Sequence, residues 1–435
     1  MAIPVKAIQN SPFRCPQRAA SSTPTVSRWS AVKLVLLGML FLTLTAPLRA
    51  QQPLSFSDAD LRGQTLFQQS AVTGMVLVVV RNREVMIRTY GETAPGSGHA
   101  PDSNSLIRLC SISKIFTTDL LLRLASEGKV SLTDPLQRYA PRGKHVPQTP
   151  GGNPITLLDL ATHTAGLPRE VGAYPRNIPH FTFPDHTLRW DWLPRQKLIT
   201  PPGTVALYSN IGFDLLGDAL ATASGKSYAR LLHERLLQPL GMWNTTLAPS
   251  REQCARLLQG VHDQGPCTDT QASGASGGLY ATAADMAKFL QYLLHDSGSL
   301  APPAADLAVS ILPAQLKSVQ GLNHAGDATG IGLAWIQLGD PASTSAIVQK
   351  TGGGAGFGTY IALNTARKTG IFLAVTDGRG DAQIDFYQEA NNLLAALANV
   401  PPLPPRTRIR TRKAYSPRKH SRRSRQPSSH VHSKT

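Results

Sequence analysis

Strand-like apolar runs lie at both ends of this chain, with a helical pattern between them. Near the start, Met75–Val80 and Val85–Tyr90 flank a short polar link, which predicts a β-hairpin. Far downstream, the strand-like runs are Gly330–Leu338, Ala346–Lys350, Gly358–Asn364 and Gly370–Thr376. Such runs are buried when they join one sheet that is covered by helices. The chain is therefore predicted to build one sheet from both of its ends.

The segment between the two groups has apolar residues at the spacing of amphipathic helices. The expected helices run from just after Ser111 to Gly128, from near Gly212 to Gly225 and from near Thr282 to Leu294, and a last one spans Ala382–Ala398. We therefore expect an α+β fold, with an antiparallel sheet drawn from about 70–95 and 328–400. A mostly helical region at about 105–320 is inserted, and residues 51–400 are expected to form one domain.

The positive charge of the chain is concentrated at its two ends. Residues 1–50 hold six Lys and Arg and residues 406–435 hold eleven, and neither segment has an acidic residue. The remainder of the chain holds 27 basic and 27 acidic side chains. The net charge of +17 therefore does not indicate a nucleic-acid-binding face on the folded part.

The first 50 residues have the pattern of an export signal. Arg28 and Lys33 precede an apolar run from Leu34 to Ala46, and Leu48-Arg49-Ala50 is a plausible cleavage site. The run is short for a membrane span, so residues 1–50 are predicted to be a signal peptide that directs the protein to the periplasm. An uncleaved anchor in the inner membrane is the alternative.

Prolines close the folded part at 401–405, and the basic segment that follows has almost nothing to bury. Residues 401–435 are therefore predicted to be a disordered tail. Its charge would favour peripheral attachment to a membrane or to the cell wall.

Export permits disulfide bonds, and three cysteines follow the signal. Cys254 and Cys267 are close together in a loop and are predicted to form a bridge. Cys110 is then left as a small buried apolar residue.

The first short motif is Ser111-Ile112-Ser113-Lys114. On a helix, residues three apart share a face, so the lysine amine can reach the serine hydroxyl. A hydroxyl becomes a good nucleophile when a neighbouring base removes its proton, and a lysine serves as that base when burial lowers its pKa. The pattern recurs at Ser416–Lys419 in the tail, so alone it is a weak indication.

The second motif is Tyr208-Ser209-Asn210, just before the helix expected near Gly212. In an extended chain, residues two apart point to the same side, so Tyr208 and Asn210 are expected to face one cleft. A phenol near ammonium groups is suited to moving a proton, and a carboxamide can bind both a lysine and a substrate amide. An ordinary Tyr-Asn turn explains the motif equally well when it stands alone.

The third motif, Lys-Thr-Gly, occurs twice. Lys350 ends an apolar strand and is followed by a glycine-rich run against which a substrate backbone could lie. Lys368 instead precedes another strand after a short polar segment, which predicts a solvated hairpin turn. We therefore expect Lys350 to be the functional copy. The glycine run does not fit G-x-G-x-x-G, so a nucleotide-binding loop is not supported.

Taken in this order, the three motifs resemble those of the serine β-lactamase/penicillin-binding-protein superfamily, in its class C-like branch. The flanks that agree are Ile107–Leu109, Leu160–Pro168, Pro239–Met242 and Gly277–Tyr280. Within the branch, the chain is similar to the AmpH-type D-alanyl-D-alanine carboxypeptidase/endopeptidases. The segments that indicate this type are Tyr90–Thr93, Pro168–Glu170, Tyr208–Leu216, the Cys254/Cys267 pair and Gln349–Gly354. The resemblance spans nearly all of 53–400, and the basic tail departs from it.

The resemblance implies a β-lactamase/transpeptidase-like fold and a serine hydrolase that acts through an acyl-serine intermediate. In that chemistry Ser111 would be the acylated nucleophile, Lys114 its base and Tyr208 the proton shuttle to the leaving amine.

The same resemblance implies the residues that bind substrate. Asn210 would hold the substrate amide, and Lys350 and Thr351 would bind the substrate carboxylate. Backbone N–H groups of Ser111 and Gly353 would form the oxyanion hole, where charge develops in the transition state.

The histidines have no metal-ligand spacing such as H-E-x-x-H, so neither a metal nor an organic cofactor is implied. His163, which belongs to one of the flanks, is expected to be a structural hydrogen-bonding residue rather than a base.

The activity that the resemblance implies is a D-alanyl-D-alanine carboxypeptidase/endopeptidase that acts on peptidoglycan peptides and binds β-lactams. A class C-like β-lactamase or an esterase of the same fold is the close alternative, because the motifs do not set how fast water removes the acyl group. A non-catalytic penicillin-recognising sensor or cell-wall binding protein is the alternative from another class. The intact motif residues argue against a pure binder.

Overall fold

The computed structural model describes residues 52–405, except 173, 174, 176, 263, 264 and 295–312. The predicted signal peptide at 1–50 and the predicted tail beyond Pro405 lie outside the described residues. Within the described part, no helix is long and apolar enough to cross a membrane.

A seven-stranded antiparallel sheet lies at the centre of the fold. The strands, in chain order, are β1 (Gly74–Arg81), β2 (Glu84–Gly91), β3 (Leu106–Arg108), β4 (Ala206–Leu207), β5 (Tyr280–Thr282), β6 (Val319–Gln320), β7 (Ala328–Ile331), β8 (Ile336–Leu338), β9 (Ile347–Gly354), β10 (Phe357–Asn364) and β11 (Thr369–Thr376). The order in the main sheet is β2-β1-β11-β10-β9-β8-β7. Because β1 pairs with β11, strands from the two ends meet inside one sheet, as the sequence predicted.

Helices cover both faces of this sheet. In chain order they are α1 (Phe56–Ser70), α2 (Ser113–Ser126), α3 (Leu157–Ala161), α4 (His186–Trp192), α5 (Asn210–Ser224), α6 (Tyr228–Leu232), α7 (Arg251–Cys254), α8 (Ala283–Leu294) and α9 (Phe386–Ala398). The predicted inserted helices correspond to α2, α5 and α8. The last helix begins later than predicted because the Asp385 side chain accepts a hydrogen bond from the Gln388 N–H and caps it there.

Strand β1 shows how the sheet separates two apolar cores. Its alternate side chains point to opposite faces, as in any strand. Met75, Leu77 and Val79 pack with α1 and α9, whereas Val76, Val78 and Val80 pack with α8 and the helical region. The strand is buried except at its last residue, Arg81, which accounts for its continuous run of apolar residues.

Helix α1 was not predicted from the sequence. Its segment is largely polar and buries a narrow strip that includes Ala59 and Leu66. Ser55 caps its start by accepting a hydrogen bond from the Asp58 N–H. Gly63 leaves room for Tyr90, whose hydroxyl would lie 2.3 Å from a Cβ at this position. Packing against β2 therefore explains a helix that periodicity alone does not indicate.

The prediction of one strand over Gly330–Leu338 is wrong. The segment is a hairpin of β7 and β8, and Ala334 in the turn has a left-handed φ of 65°. The Ala334 N–H donates a hydrogen bond to the Ala161 carbonyl at the end of α3 (2.9 Å). The chain therefore changes direction between β7 and β8 where Ala334 contacts the helical region. No local sequence pattern indicates that contact.

Candidate active site

Ser111 lies in a 3-10 turn, Cys110–Ile112, between β3 and α2. Cys110 has a φ of 51°, a left-handed conformation that costs free energy for a residue with a side chain. The Ser113 hydroxyl donates a hydrogen bond to the Cys110 carbonyl (2.7 Å) and accepts one from the Leu279 N–H (3.1 Å). These contacts fix the turn so that the partly buried Ser111 borders an open cleft.

The hydroxyl of Ser111 contacts two of its predicted partners. Its Oγ lies 2.5 Å from the phenol oxygen of Tyr208, and the Lys114 Nζ donates to it at 3.4 Å. Lys114 comes from the first turn of α2, and Tyr208 from the segment between β4 and α5. The fold therefore joins S-x-x-K and Y-x-N in one hydrogen-bonded group.

The side chain of Lys114 is completely buried. Its Nζ donates to the Asn210 side-chain oxygen (2.6 Å) and to the Ser276 carbonyl (2.5 Å). Burial lowers the pKa of Lys114 to about 7, although the nearby Asp214 carboxylate acts in the opposite direction. Such a lysine is neutral in many molecules near neutral pH and can accept a proton.

The sequence predicts that Asn210 lies in an extended segment, but in the structure it is the first residue of α5. The helix begins there because the Ser209 hydroxyl accepts a hydrogen bond from the Gly212 N–H (3.0 Å). The same hydroxyl donates to the Pro168 carbonyl (2.7 Å). The Asn210 carboxamide still reaches the cleft, and its nitrogen donates to the Glu170 carboxylate at 2.5 Å.

Positive charge surrounds the ring of Tyr208. The Nζ atoms of Lys114 and Lys350 lie 5.0 and 5.1 Å from the ring centroid, and the Arg169 guanidinium carbon lies 4.9 Å from it. These distances are within the range of cation–π contacts. Lys350 and Arg169 make no direct bond to Ser111 but shape the field around the phenol that does.

His163 supports this group from behind. Its ring stacks on Tyr208 with centroids 4.5 Å apart, and its Nδ1 accepts a hydrogen bond from the Ser209 N–H (3.1 Å). Burial and the nearby cations hold the pKa of His163 well below its usual value, so the ring is neutral. It is a structural hydrogen-bond acceptor, as the sequence led us to expect.

Strand β9 brings the third motif beside the nucleophile. The strand continues through Gly354, so Lys350 lies within it rather than at its end, contrary to the prediction. On its outer edge, β8 pairs only with Ile347–Gln349. No described strand pairs with that edge from Lys350 onward, which leaves backbone groups of β9 open to an extended ligand.

Lys350 itself is nearly inaccessible, with 3% exposure. Burial lowers its pKa to about 8, and the charges of Lys114 and Arg169 act in the same direction. Its Nζ donates to the Thr351 carbonyl at 3.1 Å. Thr351 is partly buried and lines the cleft.

Gly352 allows β9 to approach the turn that carries Ser111. A Cβ at this position would lie 2.8 Å from the Leu109 carbonyl oxygen and 3.1 Å from the Ser111 nitrogen. Thr359 of β10 holds the same turn, since its hydroxyl donates to the Leu109 carbonyl (2.9 Å). Gly353 follows and lines the cleft together with Ser111, so both predicted oxyanion-hole residues border one space.

The second Lys-Thr-Gly copy lies elsewhere. Lys368 is an exposed residue with a left-handed φ of 46° in the turn between β10 and β11. The structure therefore places Lys350 beside Tyr208, behind the cleft wall, and Lys368 in an exposed turn.

The cleft has two recesses that meet at Ser111. One is lined by Glu170, Phe181, Phe183, Ser276 and Gly354. The other is lined by Arg169, Tyr208, His324, Thr351 and Tyr387. Sequence reasoning assigned no role to Glu170, Arg169, Ser276 or Tyr387. The run Pro168–Glu170 belonged to the matching flanks, and that was the one signal that could have indicated the first two.

The cysteines are arranged as predicted. Cys254 and Cys267 form a disulfide, with Cα atoms 5.7 Å apart, and Cys110 is a buried free thiol. Burial raises the pKa of Cys110 to about 12, so it carries no charge beside the nucleophile. Within the described residues, no group of three or more His, Cys, Asp or Glu side chains is arranged to hold a metal ion.

A serine that contacts both a lysine and a tyrosine, between a sheet edge and a helical region, defines a serine hydrolase of the β-lactamase/transpeptidase-like fold. The β-lactamase family model matches residues 62–416, and the chain belongs to this family.

Its relatives include peptidases as well as β-lactamases. The chain is 38% identical over 346 residues to the D-alanyl-D-alanine-carboxypeptidase/endopeptidase AmpH of Escherichia coli K12, covering 79% of this chain and 90% of that protein. A crystal structure of the β-lactamase/D-alanine carboxypeptidase from Yersinia pestis, complexed with citrate, is 43% identical and superposes with a TM-score of 0.72. That match covers 76% of this chain and 95% of the other. A class C β-lactamase structure at 24% identity and a TM-score of 0.61, with 78% and 96% of the two chains covered, shares the fold.

Proposed function

We propose that this protein is a D-alanyl-D-alanine carboxypeptidase/endopeptidase that cleaves peptidoglycan peptides through an acyl-serine intermediate. The contact of the Ser111 hydroxyl with both Tyr208 and Lys114 is the observation that carries the proposal. The similarity to AmpH supports the choice of substrate class.

Acylation begins when the Ser111 Oγ attacks the carbonyl carbon of the penultimate D-alanine. The Oγ–H proton passes to Lys114, which burial keeps able to accept it. As the C–N bond of the substrate breaks, Tyr208 delivers its phenol proton to the leaving amine, and the proton held by Lys114 replaces it on Tyr208. Water then attacks the acyl-serine ester. Its hydroxyl group leaves on the shortened peptide as a carboxyl group, and its remaining proton restores the Ser111 hydroxyl.

Binding and transition-state stabilisation come from the remaining residues. The Asn210 carboxamide holds the substrate amide, while Lys350 and Thr351 take the terminal carboxylate through charge-assisted hydrogen bonds. The backbone N–H groups of Ser111 and Gly353 stabilise the oxyanion, where one lost donor typically costs about 10²–10³-fold in rate.

The proposed location is the periplasm, where peptidoglycan peptides are found. The apolar run in residues 1–50 supports export. The eleven basic residues of 406–435 would attach the enzyme peripherally to an anionic membrane or to the cell wall, at about 1 kcal/mol for each Lys or Arg near an anionic surface. A protein truncated after Pro405 should lose that attachment at low salt while its cleavage rate stays unchanged.

A class C-like β-lactamase is the second candidate, because curated relatives include the β-lactamase of Lysobacter lactamgenus at 26% identity. The two functions share acylation and differ in the rate of deacylation.

One experiment distinguishes the candidates. Purified protein is incubated in parallel with a pentapeptide muropeptide and with a fluorescent penicillin, and D-alanine release, label and penicillin hydrolysis are measured. The proposal expects D-alanine release and a persistent label on Ser111. Rapid penicillin hydrolysis without D-alanine release would favour the β-lactamase.

Two variants test the nucleophile. Ser111→Ala should abolish both cleavage and labelling. Ser416→Ala, which changes the other S-x-x-K serine, is the matched control and should leave both unchanged. Cleavage that survives in Ser111→Ala would exclude an acyl-serine mechanism.

A further inference from the structure

A buried acid, Asp214, lies behind the catalytic group and has no role in the reaction described so far. It belongs to α5, one helical turn after Asn210, and its exposure is 3%. Its Oδ1 accepts a hydrogen bond from the Ser276 N–H at 3.1 Å. Among the described residues it forms no ion pair.

The backbone of Ser276 connects Asp214 to Lys114. The N–H of Ser276 points to Asp214, and its carbonyl accepts the hydrogen bond from the Lys114 Nζ at 2.5 Å. The Thr117 hydroxyl of α2 donates to the preceding carbonyl, that of Ala275 (2.7 Å). The loop that supports Lys114 is thus held from α5 by Asp214 and from α2 by Thr117.

The next acid on the same helix face makes a useful contrast. Asp218 accepts two hydrogen bonds from the Arg189 guanidinium, both at 2.7 Å, and one from the Trp190 indole (2.9 Å). Its charge is therefore compensated locally. Asp214 has no such cation bonded to it, and a buried charge without a bonded partner is costly. Burial accordingly raises the pKa of Asp214, while the charges of Arg189 and Lys114 oppose that rise.

We propose that Asp214 is a positioning residue of the reaction, which holds Lys114 through Ser276 and balances the charge that Lys114 gains when it takes the proton of Ser111. The inference rests on the proposed function, since it assumes that Lys114 is the base. During acylation the completely buried lysine changes from neutral to cationic. Where Asp214 is ionised, its carboxylate is already in place and stabilises that cation without any rearrangement.

Other charges act on the same two groups and have to be held constant in a test. Those that act on Asp214, or respond to it, are Arg189, Asp218 and Tyr228. Those that face Lys114 are Arg169, Glu170, Cys110, His163, Tyr208 and Lys350. Substitution of Asp214 alone leaves all of them in place, so a change in the pH profile reports on Asp214.

The test measures the rate of Ser111 acylation by a fluorescent penicillin between pH 5.5 and 9.5. Asp214→Asn keeps an oxygen that can accept the Ser276 N–H but removes the charge. Since the carboxylate favours the cationic form of Lys114, its loss should move the acid limb of the profile down by about one pH unit. The maximal rate should fall about 10-fold, because the lysine becomes a weaker base.

A second variant separates charge from position. Asp214→Ala removes the acceptor as well, so its maximal rate should fall about 100-fold, with the same shift of the acid limb. Asp285→Asn is the matched control. Asp285 is also buried and accepts a backbone N–H, that of Asn244 at 2.8 Å, but it does not act on Lys114. Its profile should equal that of the wild type.

The outcomes separate this inference from the proposed function. A wild type without label on Ser111 would overturn both. If the wild type is labelled but the acid limb of Asp214→Asn lies at the same pH as that of the wild type, the inference alone is overturned. A lower melting temperature of that variant would not support the inference, because a purely structural role predicts a loss of stability without a shift of the pH profile. If Asp214→Ala does not fold, the asparagine variant decides.

Discussion

The two Lys-Thr-Gly copies are identical in sequence and opposite in their surroundings. Lys350 is 3% exposed and lies beside Tyr208 on the open edge of β9, whereas Lys368 is exposed in a turn. The copies are only 18 positions apart and belong to neighbouring hairpins of one sheet. What separates them is the turn that carries Ser111, because this turn packs closely against β9, the strand that holds Lys350. The comparison shows that Lys-Thr-Gly indicates a functional site only where it lies on a strand edge beside the nucleophile.

The lysines should show the largest difference. We expect Lys350→Ala to lower acylation by peptides and penicillins about 10³-fold, since it removes the buried cation that we propose as the partner of the substrate carboxylate. Lys368→Ala should remain within about twofold of the wild type, as is usual for an exposed residue away from a site. Rates of acylation for both variants decide the matter, and equal losses would contradict the distinction.

The glycines should separate activity from stability. A Cβ at Gly352 meets the Leu109 carbonyl oxygen at 2.8 Å, so Gly352→Ala must displace the turn that carries Ser111. We expect a loss of about 10²-fold in acylation, as for other small misplacements of reacting groups. A Cβ at Gly370 meets the Leu363 side chain at 2.7 Å, and Gly370→Ala should cost about 1–3 kcal/mol of stability by overpacking.

Denaturant unfolding and active-site titration with penicillin measure the two effects in the same preparations. The folded fraction of Gly370→Ala should acylate at the wild-type rate. A slow but fully folded Gly370→Ala would show that the second copy does influence the site.

Substitution of the two threonines should give a smaller difference in substrate binding. Thr351→Val removes a hydroxyl from the cleft and should weaken binding of a carboxylate substrate about 10-fold, as one hydrogen bond to a charged group allows. Thr369 is buried, and its hydroxyl donates to the Arg367 carbonyl (2.9 Å). Thr369→Val should therefore cost about 1 kcal/mol of stability and leave KM unchanged. KM and the free energy of unfolding for the pair test this, and an altered KM in Thr369→Val would count against it.

The smallest effect concerns pH. Acylation should rise through pH 7 as Lys114 loses its proton and becomes a base. It should fall above pH 8 as Lys350 loses the charge that we propose to bind the substrate carboxylate. Lys350→Arg keeps that charge at all accessible pH values, since arginine is not deprotonated in proteins. The alkaline limb should then disappear. The acylation rate of the variant at pH 9, expressed as a fraction of its own maximal rate, should be a few-fold higher than the same fraction for the wild type.

Lys368→Arg is the control for this profile and should keep both limbs. An alkaline limb that persists in Lys350→Arg would assign it to another group.

Much of the fold followed from local patterns. Alternating and continuous apolar runs predicted the strands that form the main sheet, because burial of a pleated surface imposes its period on the sequence. The helices α2, α5 and α8 were predicted because a buried helix face imposes its own period on the apolar residues. Helix α1 and the β7–β8 hairpin were not, since Tyr90 and Ala161, which contact them, are distant in sequence. Local periodicity does not report such contacts.

The sequence indicated candidate site residues but not the contacts that connect them. The residue types Ser, Lys, Tyr and Asn at their spacings indicated acyl transfer, because a nucleophile and its base need fixed neighbours. The contact of Glu170 with Asn210, and the link from Asp214 through Ser276 to Lys114, join segments far apart in the chain. The sequence by itself therefore determined which groups are available for chemistry. The tertiary structure decided which of them are buried together, and burial shifts the pKa values of two lysines toward neutrality because it removes the water that would solvate their charge.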